Sequence, residues 1–168
     1  MKVLFLGLCL LLICLNIKQS HGAYLTVNKC ENCTFIQQKF LDQSVLKTNE
    51  TVAGSCFASF MLVRKFVNTE KNNEQVYQSL VDANVVVDIR TYYTMKRVLG
   101  YTIPGKNKIW INRKYMLAWN HCDLASLLGH ESSHKIGYSH SYYATKERPN
   151  SVPYSINAAF KQCCVITR

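Results

Sequence analysis

Residues 130–140 read HESSHKIGYSH, three histidines and one glutamate within eleven positions, and that spacing admits few local structures. His130 and His134 can face one ion if the chain between them is helical, because four residues of α-helix separate them by ~40° in direction and ~6 Å along the axis. Glu131 then projects beside the first histidine, where it reaches a water on the ion without ligating the ion itself. Gly137 permits a sharp chain reversal, and His140, three residues later, returns as a third ligand. A chain of this composition would carry these five letters at these spacings by chance in about one case in 10⁵. The competing interpretation, an exposed helix end with incidental histidines, has no account of Gly137 or His140. Ser132, Ser133, Lys135 and Ser139 are spacers in this scheme.

The flanking sequence supplies the helix. Asn120 can cap it, Asp123 favours its N-terminus, and Leu124, Leu127, Leu128 and Ile136 form much of an apolar stripe. His121, the one other histidine beyond residue 22, is a helix-start residue rather than a ligand. Upstream, residues 54–68 space Phe57, Phe60, Met61 and Val67 as an amphipathic helix expected to pack on a sheet. Residues 73–83 predict a second, shorter helix with Val76, Leu80 and Val81. NVVVDI is nearly continuous in apolar character, as a buried strand would be. Residues 100–116 predict two short strands about a Pro104-Gly105 turn. Ile109 and Ile111 alternate with Trp110 and Asn112 in the second, which suggests a half-buried edge strand.

Three neutral histidines leave a dication with one position open. That donor set suits a single Zn²⁺ per chain, whose bound water loses a proton near pH ~7. Glu131 would take the proton from the metal-activated water as it attacks a carbonyl and pass it to the leaving amine. A purely structural site would use a fourth protein ligand instead of that base.

The N-terminus bears on location. Lys2, the apolar run from Val3 to Ile17 and the small residues Ser20 and Gly22 form a secretory signal, with cleavage expected after Gly22. The run is shorter than the ~20 apolar residues a spanning helix needs, so no stable membrane insertion is expected after cleavage. Residues 23–168 then make one domain, exported to the periplasm or the cell exterior. Of the eight cysteines, Cys30, Cys33, Cys56, Cys122, Cys163 and Cys164 lie beyond the signal, and an even number in an exported chain favours disulfides. Their pairing is open, although Cys122 at a helix start is a natural partner for Cys163 or Cys164. The 20 basic residues, less Lys2 and Lys18, outnumber the 10 acidic ones by eight. They are scattered and form no run interleaved with aromatics, so specific nucleic-acid binding is not expected. Asn32-Cys33-Thr34 and Asn49-Glu50-Thr51 fit the glycosylation pattern.

The opening motif resembles the H-E-x-x-H-x-x-G-x-x-H signature of the metzincin clan of zinc metallopeptidases at all five fixed positions. The resemblance implies His130, His134 and His140 as zinc ligands, Glu131 as general base and Gly137 as the turn glycine. It implies an α+β, zincin-like fold: a small twisted mixed sheet with a backing helix, the active-site helix below it, and a short C-terminal lobe with a helix near residues 156–164. NKIWIN, with Ile109, Trp110, Ile111 and Asn112, resembles the edge strand that pairs with extended substrate in this clan. The clan's methionine turn beneath the metal has no counterpart, since no methionine follows Met116. SVPYSI stands in that place as a turn with an apolar floor of Val152 and Pro153, and Tyr154 is a candidate oxyanion stabiliser. The expected protein is thus a monomeric, divergent zinc endopeptidase acting on a protein or peptide substrate. The alternative is a catalytically silent zincin-like binding or inhibitor module that keeps its zinc.

Overall fold

The computed structural model describes residues 23–116 and 118–165; the expected signal peptide, residues 1–22, lies outside the described residues. The chain runs β1 (Leu25–Glu31), α1 (Phe35–Val52), α2 (Ser55–Leu62), α3 (Asn73–Val81), β2 (Val85–Tyr92), β3 (Gly100–Thr102), β4 (Lys108–Asn112), α4 (Arg113–Met116), α5 (His121–Lys135) and α6 (Val152–Cys163). The mixture of helices with one small mixed sheet agrees with the α+β expectation.

The four strands lie in the order β1-β2-β4-β3, with β1, β2 and β4 parallel and β3 antiparallel to β4. This order corrects the expectation for Ile109, Trp110, Ile111 and Asn112. β4 is an interior strand, bonded to β2 on one side and β3 on the other, so it has no free main-chain edge for a substrate. Ile109 and Ile111 are fully buried. The Asn112 amide donates to the carbonyls of Thr94 (3.1 Å) and Val98 (3.0 Å), holding the loop before β3. The unpaired edge on this side of the sheet belongs to β3. NVVVDI is also less buried than its composition suggests: Val85, Val87 and Ile89 enter the core while Val86 faces outward at 37% exposure. β1 carries polar letters because its outer side joins an ion-pair network in which Lys29 and Lys108 share Glu31.

The helix that backs β1 and α5 is α1. It opens with a capping box, in which the Thr34 side chain accepts from the Gln37 N–H and the Gln37 side chain accepts from the Thr34 N–H. The apolar period of α1 is masked because Ser44 and Thr48 occupy fully buried positions. Each hydroxyl is satisfied inside the helix, Ser44 by the Phe40 carbonyl and Thr48 by the Ser44 carbonyl, both at 2.8 Å. α2, expected to pack on the sheet and to run to residue 68, instead lies against α3 and α6 and stops at Leu62. Beyond it the chain extends so that Val67 can bridge to Ser151, with the Val67 N–H donating to the Asn150 carbonyl at 3.0 Å.

α5 is buried nearly all round, by α1 on one side and α6 on another. It accepts such neighbours because its residues are small at the contacts. A β-carbon on Gly129 would meet Ile156 Cγ2 and Phe160 Cε2, each at 3.0 Å. Ser132 and Ser133, taken from sequence as spacers, are fully buried. α6 starts earlier than expected, so SVPYSI is the helix's first turn, with Pro153 where its missing N–H costs nothing, rather than a free-standing turn. Disulfides Cys56–Cys163 and Cys122–Cys164 tie the end of α6 to α2 and to the start of α5, and Cys30 bonds Cys33. Of the two glycosylation patterns, Asn49 is committed to structure, its amide bonding both the N–H (2.8 Å) and the carbonyl (3.0 Å) of Leu25. Among the described residues no helix is long and apolar enough to cross a membrane.

Two outcomes are expected. Non-reducing peptide mapping should join Cys56 to Cys163 and Cys122 to Cys164, and replacing the Cys122–Cys164 pair with alanines should lower unfolding free energy by up to about 4 kcal/mol on the chain-entropy account. Gly129→Ala should cost about 1–3 kcal/mol in denaturant titrations through overpacking against α6; a neutral effect would mean that α6 sits further from α5.

Candidate metal centre

Local structure aims the motif. The Asn120 side chain accepts from the Asp123 N–H at 3.0 Å while Asp123 accepts from the Asn120 N–H at 3.1 Å, a box that sets where α5 begins. Ten residues on, His130 and His134 lie on one side of the last two turns. Gly137 ends the helix at φ 98°. Tyr138 N–H donates to the Ser133 carbonyl (3.1 Å) and Gly137 N–H to the His134 carbonyl (3.3 Å), the paired bonds of a Schellman ending. This reversal returns His140 to the helix end.

The ligand nitrogens of His130, His134 and His140 all lie within 4.8 Å of one another, the one such group of three among the described residues. His130 Nε2 and His140 Nε2 are 3.3 Å apart. Tetrahedral bonds of about 2.1 Å place two ligand nitrogens roughly 3.4 Å apart, so the cluster fits a metal ion. The opposite ring nitrogens supply a second test. His134 Nδ1 lies 2.7 Å from the Tyr138 carbonyl, His140 Nδ1 lies 2.9 Å from the Ser141 carbonyl, and the backbone of Pro153 bonds His130. For His134 and His140 the carbonyl requires a proton on Nδ1 and so leaves Nε2 unprotonated, the arrangement metal-binding histidines use. Asn157 Nδ2 lies 3.1 Å from His130 Nδ1, and Asn157 Oδ1 accepts from Ser126 Oγ at 3.1 Å.

Glu131 is 5% exposed and His130 7%. Burial pushes the Glu131 carboxyl up from 4.5 to about 7, against the pull of a hydrogen bond from Thr102 and of the Lys135 charge. Burial drives His130 down from 6.5 to about 3, helped by the neighbouring His134 and His140, and also lowers His134. Burial thus favours the neutral form of His130 and His134, as ligation requires.

These groups open into a 760 Å³ cleft whose walls include Gly100, Tyr101 and Thr102 of β3, with Tyr142, Arg148 and Tyr154 opposite. The Tyr154 ring packs 5.0 Å from the His130 ring and 4.9 Å from the His140 ring, so α6 does place it beside the site. Ile109, Trp110, Ile111 and Asn112 do not line the cleft; Trp110 stacks on Tyr101 at 5.2 Å. His121 stands apart against Phe40 and Ser44. Lys135, also taken as a spacer, donates to the carbonyls of Ile103 and Lys106 and pins the β3–β4 turn to the helix end. Thr102, Asn157, Arg148 and the Pro153 carbonyl were not foreseen. A signal for Asn157 did exist: it follows Tyr154 by three residues on a helix whose other side is Ile156, Ala159 and Phe160.

No protein-family model, no curated protein and no solved structure matches this chain. The chemistry of the cluster therefore carries the functional assignment.

The two shifted groups oppose each other in stability. His130, depressed from 6.5 to about 3, withdraws stability as pH falls below about 6.5; Glu131, raised from 4.5 to about 7, withdraws it as pH rises from about 4.5 through about 7. In chelator-treated protein, Glu131→Gln should therefore gain on wild type steadily across that second window, reaching about 3 kcal/mol at slightly alkaline pH. Denaturant titrations at several pH values test this, and parallel curves for the two proteins would contradict it.

Proposed function

We propose that the chain is an exported zinc-dependent endopeptidase whose metal is held by His130, His134 and His140. The observation that carries this reading is the juxtaposition of three preorganised imidazoles with a buried carboxylate, Glu131, in an open cleft beside an unpaired strand edge. Three nitrogen donors with a vacant fourth direction suit Zn²⁺ among the common divalent ions. Disulfides and the N-terminal apolar run support an oxidising, extracytoplasmic setting.

Bound zinc would lower the pKa of a coordinated water and polarise the scissile carbonyl. The chain's own groups do the rest. Glu131, kept near neutrality by burial and anchored by Thr102, accepts a proton from the attacking water and delivers it to the amine nitrogen as the C–N bond breaks. The water oxygen stays on the new carboxylate. The Tyr154 phenol, whose ring packs on those of His130 and His140, donates to the oxygen that gains negative charge. β3 takes over the role expected of NKIWIN: its free main-chain groups bind an extended peptide as an added strand, which places the scissile bond across the cluster. A monomer suffices for all of these roles.

Three substitutions separate them. Glu131→Gln should retain one zinc per chain and lose about 10²–10⁴-fold in kcat on a peptide substrate. His134→Ala should lose both zinc and activity. Tyr154→Phe should keep zinc and lose about 10²-fold in kcat with little change in KM. Metal analysis beside peptide cleavage assays measures each, and full activity in the Glu131 variant would defeat the mechanism. Retained zinc with no hydrolysis of any peptide by wild type would favour the silent binding module instead.

A further inference from the structure

The cleft contains a cation with no counter-charge. Arg148 opens a short turn between His140 and α6, and its guanidinium lies over the Tyr154 ring, 4.6 Å from the centroid. Stacking of that kind engages the face of the guanidinium and leaves its in-plane N–H donors free. Among the described residues Arg148 makes no side-chain hydrogen bond or ion pair, and its Nε is buried without a partner. The buried Nε–H is an unfavourable orphan unless something else brings an acceptor, and the terminal amino groups of this half-buried side chain remain open to the cleft.

The position is built rather than incidental. Arg148 N–H donates to the Thr145 carbonyl, and Ser151 Oγ donates to the Arg148 carbonyl at 2.8 Å. Arg64 holds the rest of the turn through Asn150 at 3.2 Å. Tyr154 in turn packs on the rings of His130 and His140, so the free donors stand one aromatic ring away from the metal ligands and face the same cleft.

The neighbouring charges do not neutralise it. Lys135, further along the groove, spends its ammonium on main-chain carbonyls, and Arg97 adds a second, exposed cation to the cleft rim. Among the described residues Glu131 is the one carboxylate lining the cleft. Asp123 caps α5, Glu31 and Asp88 pair with lysines on the sheet, and Glu147, next to Arg148 in the chain, forms no ion pair with it.

We propose that Arg148 is a specificity residue that selects substrates carrying an aspartate or glutamate side chain close to the scissile bond, a bidentate carboxylate completing the donors that the fold leaves open. Two further cavities share wall residues with the cleft, one at Thr102 and His134 reaching Pro104 and Gly105, the other at Tyr154 and Asn157 reaching Trp119 and Lys161. An internal acidic side chain fits such an open channel better than a terminal carboxylate does. This inference rests on the peptidase reading for the word substrate, but the recognition itself is a binding property.

The test uses zinc-loaded Glu131→Gln protein and fluorescent peptides with blocked ends, in sets that differ at one internal position by Asp, Asn or Lys. The Asp peptide should bind about tenfold or more tightly than its Asn twin, with the Lys peptide weakest. Adding Arg148→Gln should erase the difference, and Arg148→Lys should restore part of it. Equal affinity for the Asp and Asn peptides at every position scanned, or a preference that survives Arg148→Gln, would overturn the proposal. Wild-type cleavage of the same peptides without acidic preference would remove the inference and leave the peptidase standing. Selective, Arg148-dependent binding with no cleavage by wild type would do the reverse.

Discussion

A side chain at position 129 would collide with both Ile156 and Phe160 at 3.0 Å, and the close approach of α6 to α5 that its absence permits is what the rest of the site depends on. That approach brings the Pro153 carbonyl, Tyr154 and Asn157 against His130. It also puts Arg148 over Tyr154 at the mouth of the cleft. With α1 on another side, α5 is surrounded, so Glu131 and His130 are buried at the end of a helix that would otherwise meet solvent. Removal from water then favours neutral His130 and raises the Glu131 carboxyl to about 7.

Such an arrangement works against stability. Two ionisable groups are desolvated, and Ser132 Oγ and Ser155 Oγ are buried without partners in the same helix contact. The two long-range disulfides converge on adjacent residues, Cys163 and Cys164, and so clamp the C-terminal end of α6 to α2 and to the start of α5. Cross-links that restrict the unfolded chain can offset polar burial in the native one. The ligand histidines themselves are backed by main-chain carbonyls, so their orientation is set by backbone geometry that the Schellman ending and the α6 start hold in place.

The parts of this structure readable from sequence were those fixed by local rules. The Asn120–Asp123 box, the leucine stripe and Gly137 are contiguous signals, and each appears where expected. So do α3, the β3–β4 hairpin and the helix near residue 156, although the last starts earlier. Failures came where tertiary contacts override letters. α1 escaped notice because Ser44 and Thr48 fill buried positions with hydroxyls bonded inside the helix. β4 was taken for an edge because Trp110 and Asn112 look surface-like, yet one stacks on Tyr101 and the other is a fully buried loop anchor. β3, the strand that does border the cleft, is three residues long, and although it reads as a strand nothing in GYT marks it as the sheet edge. Arg148 acquires meaning only through the fold, since nothing in RPN marks a cleft residue, whereas Asn157 has only its helical spacing from Tyr154.

The central claim is that three histidines on a helix end and the turn after it form one metal site with a position left open. X-ray absorption at the zinc edge, on protein carrying one equivalent of zinc, tests this most directly. The account predicts a four-coordinate ion with three imidazole nitrogens and one light oxygen ligand near 2.0–2.1 Å, and a spectrum that changes when a hydroxamate displaces the oxygen. Zinc that washes out on dialysis, or a shell containing sulfur or a fourth imidazole, would contradict it.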